Sequence, residues 1–170
     1  MPNGVDPHDF QPSAKDAEAI AEGDLGLDVG ARAADLAARL DALDDELRRT
    51  LAAVPADRRE LVTGHESMGY FADRYGFDLV GAVIPSLSSQ AQSSAQGLSE
   101  LRDQVRAAEV PAIFTENGTP EGVAEAIADE TGARLVEIGT HTLPDHGSYF
   151  TLMREAPATV ADGLSATAER

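Results

Sequence analysis

Between Leu61 and Leu164 the chain keeps to one alternation, a short apolar run followed by a longer stretch with helical spacing. The apolar runs are Leu61–Thr63, Leu79–Ile84, Val110–Thr115 and Arg134–Ile138. Leu79–Ile84, reading Leu-Val-Gly-Ala-Val-Ile, has no polar face, which suits a strand covered on both sides. The stretches between them predict helices over Glu66–Tyr75, over Gln96–Glu109, from a Thr119 N-cap through Pro120 and Glu121 to Gly132, and over Ser148–Leu164. Pro157 is expected to kink or shorten the last helix. Strands joined by helical crossovers run parallel. The expected fold class is therefore α/β, a four-stranded parallel sheet with helices on both faces. Upstream, residues 1–12 read as loop, and Ser13 with Asp16 starts a short helix to about Glu22. Gly23, Gly26 and Gly30 then break the pattern. The longest helical signal runs from Ala31 to about Ala53, with Leu36, Leu40, Leu43, Leu47 and Leu51 on one stripe, and Pro55 ends it.

A parallel sheet of this kind places its ligand chemistry at the carboxyl ends of the strands. Three loops are expected there: Gly64–His65, Glu116–Gly118 and Thr140–Gly147. His65 is read at the mouth of a helix that buries Met68, Phe71 and Ala72 and stops at Gly76. His8 lies in the loop Asp6-Pro7-His8-Asp9-Phe10, and His141 lies in the last loop with Asp145 and His146 close behind. There is no cysteine, so any metal must be held by imidazole and carboxylate. The expectation is that His8, His65 and His141 converge on a metal ion, with Asp145 beside the last of them; His146 reads better as a surface or hydrogen-bonded residue. Glu66 reads as an acid favoured by a helix N-terminus. Glu116 has two readings, one in which it orients a metal ligand from behind and one in which it caps the Asn117-Gly118 turn.

Other chemistries find less support. Gly64-His-Glu-Ser-Met-Gly69 is one residue too long for a Gly-x-Ser-x-Gly nucleophile elbow, and Ser67 is expected inside a helix. No phosphate-binding glycine loop is present. Asn117-Gly-Thr119 matches a glycosylation sequon, a match that chance explains. With 13 basic residues against 30 acidic ones the net charge is −17, which repels phosphate backbones and argues against a nucleic-acid partner. Lys15 is the sole lysine, and this acidic, lysine-poor composition suits a high-salt habitat. The opening Met-Pro-Asn-Gly-Val-Asp does not read as a signal peptide, and no apolar stretch approaches membrane-spanning length.

Several of these segments resemble one family. Leu61-Val-Thr-Gly-His-Glu-Ser-Met-Gly-Tyr-Phe-Ala-Asp-Arg-Tyr-Gly-Phe77 resembles the third-ligand segment of the zinc/manganese ABC-transporter solute-binding proteins. Val110-Pro-Ala-Ile-Phe-Thr-Glu116 is similar to the strand that follows it and to its family glutamate, and Gly147-Ser-Tyr-Phe-Thr-Leu-Met153 to the start of the last helix. Asp6-Pro-His-Asp-Phe-Gln-Pro-Ser13 looks like the first-ligand loop, and the long helix from Ala31 like the helix that joins two lobes. The resemblance implies that His8 and His65 are metal ligands and that the last ligand is His141 or Asp145. It implies zinc as the metal, with manganese as the alternative, because the donors are rich in imidazole. It further implies an extracytoplasmic or cell-surface location, a membrane permease as partner, and capture with no enzymatic step. The implied division is a first-lobe remnant with its ligand loop over 1–26, a connecting helix over 27–55, an α/β metal-binding lobe over 56–165 and a tail over 166–170. Two departures accompany the likeness. The family's second-ligand histidine has no counterpart, and most of a first lobe is expected to be missing between about Leu25 and Gly30. Two other readings stand beside this one: a truncated interaction remnant without a tight metal site, and a small α/β hydrolase using His65 with Glu66 or Glu116.

Overall fold

A computed structural model describes residues 29–85, 94–140, 143 and 147–165. In chain order the elements are α1 (Val29–Leu51), a 3-10 turn (Ala56–Arg58), β1 (Glu60–His65), α2 (Gly69–Tyr75), β2 (Asp78–Ile84), α3 (Ala95–Ala107), β3 (Ala112–Thr115), α4 (Glu121–Thr131), β4 (Arg134–Glu137) and α5 (Tyr149–Ser165). The four strands form one sheet in the order β2-β1-β3-β4, every pairing parallel. The expected sheet and its alternation of helices are both present.

Side chains that alternate along each strand build two separate apolar layers. Leu61, Ala112 and Phe114 point to one face, where Leu51, Met68, Ala72, Phe77, Val160 and Leu164 cover them from α1, α2, α5 and their flanks. Val62 and Ile113 point to the other face, under Leu101 and Val105 of α3 and Ala124, Ile127 and Ala128 of α4. Close approach of α5 to the sheet is possible because residue 163 is glycine. A Cβ there would lie 2.7 Å from the ring of buried Phe114.

Several local expectations are corrected. The first strand extends to His65, and the next helix starts at Gly69. His65 is thus the last residue of a strand, while Glu66 and Ser67 occupy the turn before α2 and not its first turn. The Thr119 hydroxyl does not cap α4; it accepts the Glu116 N–H at 3.1 Å, and Pro120 stands at the N-cap position. Pro157 lies inside α5 without ending it. The Ser148 cap is present: its hydroxyl accepts the Thr151 N–H at 3.3 Å, and the Thr151 hydroxyl accepts the Ser148 N–H at 3.2 Å. On α1 the leucine stripe is buried only in its second half, at Leu43, Leu47 and Leu51, whereas Leu36 and Leu40 are 46% and 37% exposed.

Arg59 and Asp44 fasten the end of α1 to the α2 side of the lobe, while Arg154 of α5 pairs with Glu46 at 2.9 Å. The Arg59 guanidinium donates to the Leu51 and Val54 carbonyls at 2.9 and 3.3 Å and to the Tyr75 carbonyl at 2.9 Å. One side chain so caps the carboxyl ends of both α1 and α2. Asp44 of α1 accepts a forked pair of bonds from Arg74 of α2 at 3.1 and 2.7 Å, one from Arg48 at 3.0 Å and one from the Tyr75 hydroxyl at 3.0 Å. The Arg74 fork first, and then Arg48 and Tyr75, hold the Asp44 carboxyl down from 3.8 to about 2. A carboxylate depressed by folding stabilises the fold above its unfolded pKa and loses that contribution as pH falls through its folded one. Between about pH 4 and pH 2 the parent chain should therefore lose roughly 1 kcal/mol that Asp44→Asn lacks throughout, a figure reduced for solvent screening. Urea unfolding at stepped pH measures it; equal acid slopes for the two proteins would refute the assignment.

Candidate metal centre

The strand order reverses direction at β1 and β3: the chain leaves β1 for β2 on one side, then returns past β1 to β3 and on to β4. This is the switch point of an open parallel sheet, where the carboxyl ends of neighbouring strands diverge and leave room for a ligand. His65 ends β1 at this position and is 1% exposed. Glu116 follows β3 directly across from it and is 4% exposed.

The two residues meet. β1 and β3 pair as ordinary strands at Val62–Ile113 and Thr63–Phe114. Beyond that register the Glu116 side chain takes over: its Oε2 accepts the Gly64 N–H at 2.9 Å and the His65 N–H at 3.3 Å. Its Oε1 accepts the Ser67 hydroxyl. The His65 Nδ1 lies 3.4 Å from the same Oε2. A buried carboxylate is costly unless its oxygens are bonded, and here three donors from residues 64–67 supply those bonds. The turn after His65 is tightened from within. The Thr63 hydroxyl and the Ser67 N–H both donate to the His65 carbonyl, at 2.8 and 2.7 Å.

Gly64 is what lets the carboxylate in. A Cβ at residue 64 would fall 2.5 Å from Glu116 Oε2 and closer still to Thr119 Oγ1. Glycine at this position thus serves the close approach of a side chain.

Of the expected ligands, His65 stands at the sheet edge as described. His8, His141 and Asp145 lie outside the described residues, as does His146. Thr140 lies three residues past the end of β4. Among the described residues no three histidine, aspartate or glutamate side chains are grouped as a metal site. Glu66 is exposed and stands outside the buried cluster. Ser67, expected inside a helix, stands in the turn before α2, and its hydroxyl is one of the anchors of Glu116. Its place two residues after the strand-end histidine was the available signal. Both features of Glu116 are present: its main chain closes the Asn117-Gly118 turn through Thr119, and its side chain reaches the backbone of residues 64 and 65.

Residues 27–163 match the family described as zinc-uptake complex component A, periplasmic (ZnuA). The chain is 38% identical over 137 residues to the zinc-binding protein TroA of Treponema pallidum, an alignment covering 75% of this chain and 44% of that protein. It is 31% identical over 178 residues to the high-affinity zinc uptake system protein ZnuA of Paracoccus denitrificans, covering 96% of this chain and 53% of the relative. The solved structure of the Treponema pallidum periplasmic zinc-binding protein TroA superposes with a TM-score of 0.64 at 31% identity, over 75% of this chain and 49% of that one. A manganese-bound mutant of the periplasmic metal-binding protein from candidatus Liberibacter asiaticus shares the fold, with a TM-score of 0.68 at 20% identity over 78% of this chain and 50% of that one. The fold is that of a metal solute-binding lobe. The chain belongs to the zinc-uptake component A family, and it spans about half the length of these curated relatives.

Proposed function

We propose that this chain captures a divalent metal ion, zinc in preference to manganese, as the solute-binding part of a metal-uptake ABC transporter. His65 is the central ligand, with His8 and either His141 or Asp145 completing the set. The observation that carries this reading is the buried strand-end imidazole at the switch point, backed by the Glu116 carboxylate. Neutral imidazoles and a carboxylate replace the ion's water, and no bond is made or broken in the cargo. The loaded protein then delivers the ion to a membrane permease on the extracytoplasmic side. The names of the relatives support zinc and manganese as the cargo, and some of them describe transporter components. In this reading residues 1–26 carry a reduced first lobe, 27–55 the connecting helix, 56–165 the metal-binding lobe and 166–170 a tail. The exposed leucines of the first half of α1 fit a helix that reaches beyond the lobe towards other structure.

Because the ligands must be deprotonated, zinc binding should weaken by at least about tenfold between about pH 7.5 and about pH 5.5. Calorimetric titration with zinc and with manganese at both pH values tests the proposal. Saturable zinc binding that fades with acid supports it. The absence of saturable zinc heat at the higher pH rejects it.

A further inference from the structure

Glu116 is the most heavily anchored polar side chain at the carboxyl edge, and its anchoring is directed at a single neighbour. Both of its oxygens are held by residues 64–67, its own N–H is held by Thr119, and its side chain is 0% exposed. The oxygen that closes on the Gly64 and His65 amides is the one that stands against the His65 ring. The Glu116 main chain closes the Asn117-Gly118 turn, its N–H donating to the Thr119 hydroxyl and its carbonyl accepting the Thr119 N–H at 3.0 Å. Its side chain instead crosses between strands and ends on the backbone and ring of residue 65 and on the Ser67 hydroxyl.

We propose that Glu116 is a positioning residue for metal capture. Its carboxylate fixes the backbone on either side of His65 and favours the imidazole form that carries its proton on Nδ1, which leaves Nε2 as the metal donor. This rests on the reading of His65 as a ligand. The general physics is that an imidazole ligand is set in tautomer and orientation by what its other nitrogen faces, and a carboxylate there makes the ring a better donor. The 3.4 Å separation of Nδ1 from Oε2 is longer than a formed hydrogen bond. The carboxylate therefore acts on the ring through its charge and through the backbone it holds. Ser67 and Thr119 act one step further out. The Ser67 hydroxyl fixes Oε1, and the Thr119 hydroxyl fixes the Glu116 main chain, so the oxygen facing His65 cannot swing away.

The test is Glu116→Gln, which keeps the shape and one acceptor oxygen for the amides of residues 64 and 65 while removing the charge. Two readouts are taken. The first is the ring nitrogen chemical shifts of His65 in the metal-free protein, which report the tautomer. The second is zinc affinity by calorimetry. The expected result is a parent His65 protonated on Nδ1, a loss of that preference in Glu116→Gln, and zinc binding weakened about 10- to 100-fold. Thermal unfolding of the metal-free variant separates this from general damage. An unchanged tautomer together with unchanged zinc affinity overturns the proposal. If the parent chain binds no zinc, the function proposed above fails, while the tautomer comparison still decides the role of Glu116. If Glu116→Gln does not fold, Ser67→Ala carries the test, because it frees Oε1 without touching the strand. A tautomer shift or weaker zinc binding in that variant supports the proposal, and parent-like values in both readouts overturn it.

Discussion

Zinc is expected to raise the melting temperature of the parent chain and to leave that of His65→Ala where it was. A ligand present at about 100 times its Kd stabilises the native state by about 2.7 kcal/mol. For a chain of this size that is a rise of about 5–10 °C. His65 is the buried imidazole at the switch point, so on the proposed function its removal takes away a metal donor together with the contact to Glu116. Loss of a residue that merely supports a ligand costs about 10- to 100-fold in metal affinity, and loss of the ligand itself should exceed about 100-fold. At the zinc concentration that saturates the parent, the variant should then gain less than about 1 °C. Truncating a buried ring also lowers stability in the absence of metal. Each protein is therefore compared with itself, with and without zinc. A zinc-induced rise in His65→Ala equal to that of the parent would remove this residue from the site.

Gly64→Ala should be the most damaging single methyl addition in the described part of the molecule. Its Cβ would enter the space already held by Glu116 Oε2 and the Thr119 hydroxyl. Neither can step aside cheaply. Oε2 is bonded to two amides, and the Thr119 hydroxyl is bonded to the Glu116 N–H. Overpacking of this kind costs about 1–3 kcal/mol, and a displaced buried carboxylate adds about the same again. A loss of about 2–5 kcal/mol is expected in urea unfolding, with zinc affinity falling alongside it. Gly81 offers the control. A Cβ there meets the Cδ1 of Leu101 at 2.6 Å, the far end of a side chain that can rotate. Gly81→Ala should cost less, and should leave zinc binding unchanged. If Gly64→Ala were as stable as the parent, the close packing at the strand end would not be a constraint on the fold.

The architecture could be read from the chain because each level of the sequence pointed the same way. Apolar runs such as Leu79–Ile84 mark strands, and the intervening helical stretches force parallel crossovers; that run proved to be an edge strand, with residues 79–82 only half-buried and not covered on both faces. The order of the strands was a different matter. It depends on which helix covers which face, and no single segment such as Val110–Thr115 carries that information. At the site, His65 was visible as a histidine after an apolar run, and Glu116 as an acid after another. Their meeting was not visible, because it is a contact across 51 residues made by a side chain that extends a strand ladder. Local propensity places Ser67 inside a helix and Thr119 at a helix N-cap. Both hydroxyls were drawn instead to the buried glutamate, whose need for donors outweighs the modest benefit of an N-cap. Leu36 and Leu40 were taken with the rest of their stripe because periodicity records which side of a helix is apolar and not how far the neighbouring structure extends.

Arg59 gives α1 a property that its exposed first half conceals. The helix runs through residues with little of the lobe beneath them, yet its final carbonyl groups share one guanidinium with the final carbonyl of α2. Neither helix end can fray without releasing a cation that also holds the other. The last turns of the two helices open together or stay closed together.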